Sequence, residues 1–311
     1  MLRNTSDSER WGQGMASVGD QPQLGRVGIW SSAFGAEQDE ARRAAGELER
    51  LGYGTLWFPN SADMFARAGE LLEATSRIVV ATGIASIWTH PAEQATEAHH
   101  ALTQAHPQRF LLGLGVSHAH LVDRHQPGRY SRPVERMVAY LDALDAAPTP
   151  VPPGARILAA LGPRMLEIAR RRSAGAHPYL VTVEHTRRAR AALGSDALLA
   201  PEQAVVVSTD PAEARRLGRM HLARYLQAPN YVNNWLRLGF TRDDLADGGS
   251  GRLVDALVAW GNEEAIGERV AAHFAAGADH VCLQALTEEP GTIPYEQWRA
   301  LAPLTTAFDR A

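Results

Sequence analysis

The chain contains no lysine: all 31 basic side chains among its 311 residues are arginine. That absence excludes a Schiff-base lysine of the pyridoxal-phosphate or aldolase kind, and it excludes a Walker lysine. Anionic groups must be held by arginine, by backbone N–H groups or by helix N-termini. Cysteine is nearly missing too. Cys282 stands alone, so no intramolecular disulfide and no cysteine-based zinc site can form, and a cytoplasmic location is expected. No uninterrupted apolar run approaches the roughly 18 residues of a membrane span, and residues 1–10 carry no basic-then-apolar leader. Positive charge is not in excess. The 31 arginines face 35 acidic side chains, a formal charge of −4, which argues against nucleic acid as a partner. What is present, 45% apolar and 21% charged residues, suffices for a sizeable core in two average domains or one large α/β barrel.

Residues 1–24 are rich in Ser, Gly, Gln and Asp without apolar periodicity and are predicted to be a disordered tail, with order beginning at Gly25. From there strand-like apolar runs alternate with helical periodicity. Strands are predicted over 26–31, 55–58, 78–87, 110–116, 156–161, 176–182, 204–208 and 280–285. Helices are predicted over 38–51, 62–75, 92–105, 131–146, 163–173, 184–193, 211–226, 263–276 and 294–308. Residues 148–154 (PTPVPPG) form a linker or a loop, and 230–260 reads as short helices broken by DGGSG. Strand–helix alternation demands parallel strands with right-handed crossovers. The expected fold is therefore an α/β (β/α)8 TIM barrel, one domain over residues 25–311, with an insertion between the seventh and eighth strands. The alternative, a doubly wound open sheet, lacks its phosphate fingerprint, because the first strand–helix turn reads SSAFGAEQ.

In such a barrel the C-terminal strand ends carry function. That rule nominates Trp30 and Ser31; Pro59, Asn60 and Ser61; Ala85, Ser86, Ile87 and Trp88; Ser117 and His118; Gly162, Pro163 and Arg164; His177, Pro178 and Tyr179; Ser208 and Thr209; and Gln284. Trp30 and Trp88 either line a pocket for a planar ligand or pack in the core, whereas Trp57, in mid-strand, belongs to the core. His177, before Pro178, is either a ligand contact or a satisfied structural histidine. His118, His120 and His125 are solvated loop histidines unless His118 faces the site; no converging ligand set for a metal is expected. His99 and His100 cannot share one helix face and are read as packing or surface residues. Cys282 is expected to be buried.

The segments RVGIW (26–30), RLGYGTLWFPN (50–60), ATSRIVVATGIASIW (74–88), PQRFLLGLGVSH (107–118), ILAALGPRMLEIA (157–169), AGAHPYLVTVEHT (174–186), LVDALVAWG (253–261) and AAGADHVCLQ (275–284) together resemble the luciferase-like flavin and deazaflavin oxidoreductase superfamily. The wording is nearest to the actinobacterial branch that uses coenzyme F420. The resemblance implies a (β/α)8 barrel, often a homodimer, with an isoalloxazine-type ring in its mouth. It implies a β-bulge and a non-proline cis peptide at the end of the third strand, placed by alignment at Ala85–Ser86, where small residues let the ring lie flat. It implies that Gly162, Pro163, Arg164, Gly175, His177 and Pro178 surround the cofactor phosphate, that Trp30, Asn60 and Trp88 line the ring, and that His118 transfers a proton. Many F420 enzymes carry an acidic residue, often followed by histidine, where this chain has Asn60 and Ser61, and several carry glutamate at the place of His118. The implied function is an F420-dependent oxidoreductase that moves hydride to or from a small organic substrate. The alternatives are an FMN-dependent two-component monooxygenase and a barrel that binds cofactor without turnover.

Overall fold

The computed structural model describes residues 21–308 except 36, 125, 126 and 290. The predicted tail therefore falls almost wholly outside the described residues, as does His125. Its last residue, Leu24, is buried, and its carbonyl accepts a 2.6 Å hydrogen bond from the Thr55 hydroxyl, so the ordered chain starts before Gly25.

The strands are β1 Val27–Trp30, β2 Thr55–Phe58, β3 Val79–Thr82, β4 Ala85–Ser86, β5 Phe110–Gly115, β6 Arg156–Leu158, β7 Gly175–Ala176, β8 Leu198–Leu199, β9 Glu202–Val207, β10 Val258–Gly261 and β11 Val281–Ala285. They form one curled, all-parallel sheet in the order β10-β9-β11-β1-β2-β3-β5-β6-β7-β8, with β4 on β5. Continuous apolar runs suit this arrangement, because a parallel sheet is covered on both faces. The curl brings the far strands together. The Ala200 N–H donates to Ala176 O (2.9 Å), and one residue on, Pro201 O accepts from the Cys282 N–H (3.0 Å).

The pleat sorts side chains onto two faces. Val27, Ile29, Val80, Leu112, Leu158 and Leu283 face the surrounding helices in the main core. Trp57, Val79, Ala81, Leu111, Ile157 and Cys282 fill the inside of the curl, with Trp30 above them. A third cluster, centred on Trp235, packs beneath the helices of the 208–280 segment. Helix starts follow capping chemistry: the Thr182 hydroxyl accepts from His185 N (3.2 Å), Asp210 Oδ1 from Ala212 N (2.9 Å) and Asn262 Oδ1 from Ala265 N (3.1 Å).

Three expectations need correction. The third strand is not continuous over 78–87. Between the pairs Ala81↔Leu111 and Ala85↔Leu114, three residues oppose two, which is a β-bulge. Within it the Thr82 hydroxyl donates to Gly113 O and accepts from Gly113 N, both at 2.8 Å, and replaces the missing ladder bonds. The non-proline cis peptide is Gly83–Ile84, inside the bulge, not Ala85–Ser86; by Ala85 the chain is pairing with β5 again. Finally, Val258–Gly261 is a strand within the segment expected to be helical, because β9 offers it a free edge.

Candidate active site

A cavity of about 520 Å³ opens at the C-terminal ends of the strands. Its floor is formed by Gly83 and Ile84. Trp30 fixes this floor, its indole Nε1–H donating to Gly83 O at 3.0 Å. A side chain on Gly83 would sit 2.7 Å from that same Nε1, so only glycine leaves the floor flat. Ile84 folds across the gap left by Gly115, where a Cβ would lie 2.6 Å from its Cδ1.

His177 closes one side. Its ring stacks on Trp57 at 4.2 Å, and its Nδ1 lies 2.7 Å from Ala200 O. A carbonyl only accepts, so Nδ1 carries the proton and Nε2 holds a lone pair. That Nε2 is buried without a partner. Burial pulls the His177 pKa down to about 4, against the Ala200 bond, so the ring is neutral and its open nitrogen is an acceptor at neutral pH.

Asn60 lies across the floor. Its Oδ1 accepts from Ser86 N (2.9 Å) and from the Thr89 hydroxyl (3.2 Å), which commits the carbonyl and leaves Nδ2 as a donor to the cavity. The outer end is formed by Leu161, Gly162, Pro163, Arg164 and Met165. Helix Pro163–Arg172 starts here with no side-chain cap. Proline has no N–H, and Met165 N and Leu166 N both turn back to Gly162 O at 3.1 and 3.0 Å. The Arg164 amide and guanidinium are the donors left for an anion.

His118 stands on the opposite rim, after Ser117, a non-glycine residue in the left-handed region at φ 53°. Such a conformation is retained where surroundings demand it. His118 Nδ1 lies 3.2 Å from Asn230 Oδ1. Burial lowers its pKa, the Asn230 bond opposes this, and nearby His120 and Arg224 lower it further. The neutral form with a free Nε2 therefore prevails at neutral pH. Tyr179, Tyr225 and Tyr231 make the remaining wall, with Tyr225 Oη donating to Tyr179 Oη at 3.0 Å.

Trp30, Asn60, His118, Gly162, Pro163, Arg164 and His177 thus meet around one cavity, as expected from their strand ends. Ala85, Ser86, Trp88, Gly175 and Pro178 do not line it. Ala85 and Ser86 are buried in β4 and steady the floor from behind. Trp88 donates its Nε1–H to Val116 O at 2.7 Å and packs against Tyr130. Gly175 serves close strand approach, since a Cβ there would lie 1.8 Å from Leu198 O. Tyr179, a strand-end candidate, lines the cavity as well, whereas the sequence reading missed Gly83, Tyr225, Asn230 and Tyr231. The last two start helix Pro229–Arg237, and their signal was the density of aromatics and amides in YLQAPNYVNNW. No group of three or more potential metal ligands occurs among the described residues. No helix among them is long and apolar enough to cross a membrane.

The family model for luciferase-like monooxygenases matches residues 23–280. No curated protein matches the sequence. Among solved structures, an F420-dependent secondary alcohol dehydrogenase in complex with an F420–acetone adduct superposes with TM-score 0.70 at 14% identity, over 91% of this chain and 98% of that one. The coenzyme F420-dependent tetrahydromethanopterin reductase of Methanopyrus kandleri gives 0.69 at 13% identity, over 91% and 99%. The oxygenating constituent of 3,6-diketocamphane monooxygenase of Pseudomonas putida, in complex with FMN, gives 0.64 at 16% identity, over 91% and 97%.

Proposed function

This chain belongs to the luciferase-like monooxygenase family, and from that premise we propose that it is an F420-dependent oxidoreductase acting on a small organic substrate. The curled sheet is then a (β/α)8 barrel whose insertion lies between its seventh and eighth strands. The observation that carries the reading is the flat Gly83–Ile84 floor beside the unpartnered, buried Nε2 of His177. A planar ring fits beside Gly83, where no Cβ projects, and a ring-edge N–H or O–H would satisfy an acceptor that otherwise remains buried without a hydrogen bond.

When bound, F420 supplies a ring carbon that gives or accepts hydride. The side chains do the rest. Trp30 keeps the Gly83 carbonyl turned away from the ring. Asn60 Nδ2, its Oδ1 being engaged by Ser86 and Thr89, would be the donor to a ring-edge oxygen. Among the described residues Arg164 is the lone arginine lining this cavity, which suits the singly charged phosphodiester of F420 better than the phosphate monoester of FMN. His118 Nε2 takes a proton from a substrate hydroxyl or, once protonated, returns one to a carbonyl oxygen. Leu121, Val134 and Ile84 keep that end of the cavity apolar.

Titration of the purified protein with F420 and with FMN, followed by cofactor fluorescence, tests the proposal. F420 is expected to bind and FMN to bind more weakly. Tight FMN binding with no affinity for F420, together with oxygen uptake on adding reduced FMN, would replace this reading with the two-component monooxygenase.

A further inference from the structure

A second cavity, of about 290 Å³, lies on the far side of the tyrosine wall. The partition is a run of hydrogen-bonded side chains. Tyr225 Oη donates to Tyr179 Oη at 3.0 Å, and Tyr179 Oη donates to Gln284 Oε1 at 2.6 Å, with His221 Nε2 3.4 Å from the same hydroxyl. Tyr179 and Tyr225 face the first cavity, while Gln284 and His221 line the second.

Its lining is unusual in charge. Among the described residues it includes Arg224 and no acidic side chain. The other arginines of this helical stretch are engaged. Arg215 pairs with Asp255 at 2.7 Å, Arg216 pairs with Glu288, and Arg219 donates to Gly249 O at 2.9 Å. Arg224 has no carboxylate within ion-pair distance among the described residues, and its guanidinium lies over the Tyr225 ring, 4.8 Å from the centroid. That stacking steadies the group, which also hydrogen-bonds the Tyr179 and Tyr225 hydroxyls, and a guanidinium with five N–H donors keeps others for an anion.

The cavity is also unusual in its apolar surface. Two large apolar side chains stay exposed among the described residues, Leu121 and Met220, at 43% and 47%. Leu121 lines the first cavity and Met220 the second. Beside Met220, Leu217 and Leu286 complete an apolar wall.

We propose that this second cavity is a binding site for a small organic anion, with its carboxylate on Arg224 and its hydrocarbon part against Leu217, Met220 and Leu286. Gln284 Nε2 is placed to donate to the same carboxylate, because its Oε1 is already taken by Tyr179. The site does not depend on which redox cofactor occupies the first cavity.

Benzoate is the probe, titrated calorimetrically at constant ionic strength into the full chain without added cofactor, so that a failure of the F420 assignment leaves the result readable. Wild type is expected to bind benzoate, and Arg224→Gln to weaken it about tenfold or more, the loss of one charge-assisted contact. Arg216→Gln, whose arginine is paired with Glu288, and Arg164→Gln, in the first cavity, should leave the affinity unchanged, with thermal midpoints showing that all three variants fold. Benzyl alcohol, lacking the charge, should bind wild type no better than benzoate binds Arg224→Gln. The proposal is overturned by absence of benzoate binding, by equal affinity in wild type and Arg224→Gln, by a loss that follows Arg164 instead, or by benzyl alcohol matching benzoate.

Discussion

Replacing Glu202 by glutamine should change how stability depends on pH, because this carboxyl is sealed in the protein with half of its hydrogen bonding. It sits at the start of β9 with no exposed surface. Oε2 accepts from the Leu180 N–H at 2.8 Å, and Oε1 has no partner. Burial pushes its pKa from 4.5 to about 8, against the pull of the Leu180 bond and of Arg224. The folded state therefore holds a proton that the unfolded chain releases near pH 4.5. The associated stability is complete below pH 4.5 and is lost as the pH climbs past 8. The full effect is about 4–5 kcal/mol, an upper figure because local opening or water entry reduces it. Glutamine keeps the Leu180 bond and cannot ionise. Its extra N–H costs about 1–3 kcal/mol at low pH, where the protonated glutamate is the better fit. Guanidinium unfolding of wild type and Glu202→Gln between pH 5 and pH 9 reads the effect. The variant should start less stable and overtake wild type as the pH rises. A gap between the two that stays constant across the range would refute the assignment of a buried protonated carboxyl.

Acid should act in the opposite sense. Burial lowers the pKa of His99, His177, His185 and His280 to about 4, and of His221 and His273 to about 3. Their stabilisation is present above the unfolded value of 6.5 and disappears as the pH falls toward 4, so circular dichroism should show cooperative unfolding in that window. Gly113→Ala would place a Cβ 1.9 Å from Thr82 O and should lower the melting temperature sharply or prevent folding. Gly162→Ala, with nothing within 4 Å of its Cβ, should change it little, and similar melting temperatures for the two would contradict the bulge geometry. His118→Gln should cut turnover about a hundredfold while F420 affinity stays within about twofold. In wild type the acid limb of the rate profile should fall below the ordinary histidine value of 6.5, because burial lowers the His118 pKa. An equal loss of cofactor affinity would make His118 a holding residue instead of a proton carrier.

Most strands were legible because each is a short apolar run that alternates with helices, but Leu198–Leu199 and Val258–Gly261 were not predicted. The break in the third strand was not legible. Residues 78–87 read IVVATGIASI, continuous in hydrophobicity, and nothing local marks Thr82 as the residue whose hydroxyl takes over the ladder on Gly113. That bond joins residues 31 apart. Val258–Gly261 was hidden for a related reason. Helix Gly251–Leu257 runs into it without a glycine or proline between, so periodicity favours one longer helix, and only the open edge of β9 makes the last four residues a strand.

The site divides along the same line. Residues at strand ends were found because the fold puts them there, whereas Asn230, Tyr225 and Tyr231 reach the cavity from the 208–280 segment, whose position depends on tertiary packing. His177 shows why sequence left two readings open, a structural histidine or a ligand contact. Inside the curl, the Trp57 Nε1–H donates to His280 Nε2 at 3.2 Å, and His280 Nδ1 lies 2.8 Å from Gly25 O. The indole donates only and the carbonyl accepts only, so the proton on His280 is fixed on Nδ1. Above it His177 stacks on the same Trp57, and Ala200 O fixes its proton on Nδ1 as well. Each nitrogen in this column is matched except the last, Nε2 of the cavity-lining His177. The packing that makes His177 structural also selects its tautomer, and that tautomer leaves Nε2 as an acceptor without a partner. Under the proposed function the two readings are therefore one arrangement.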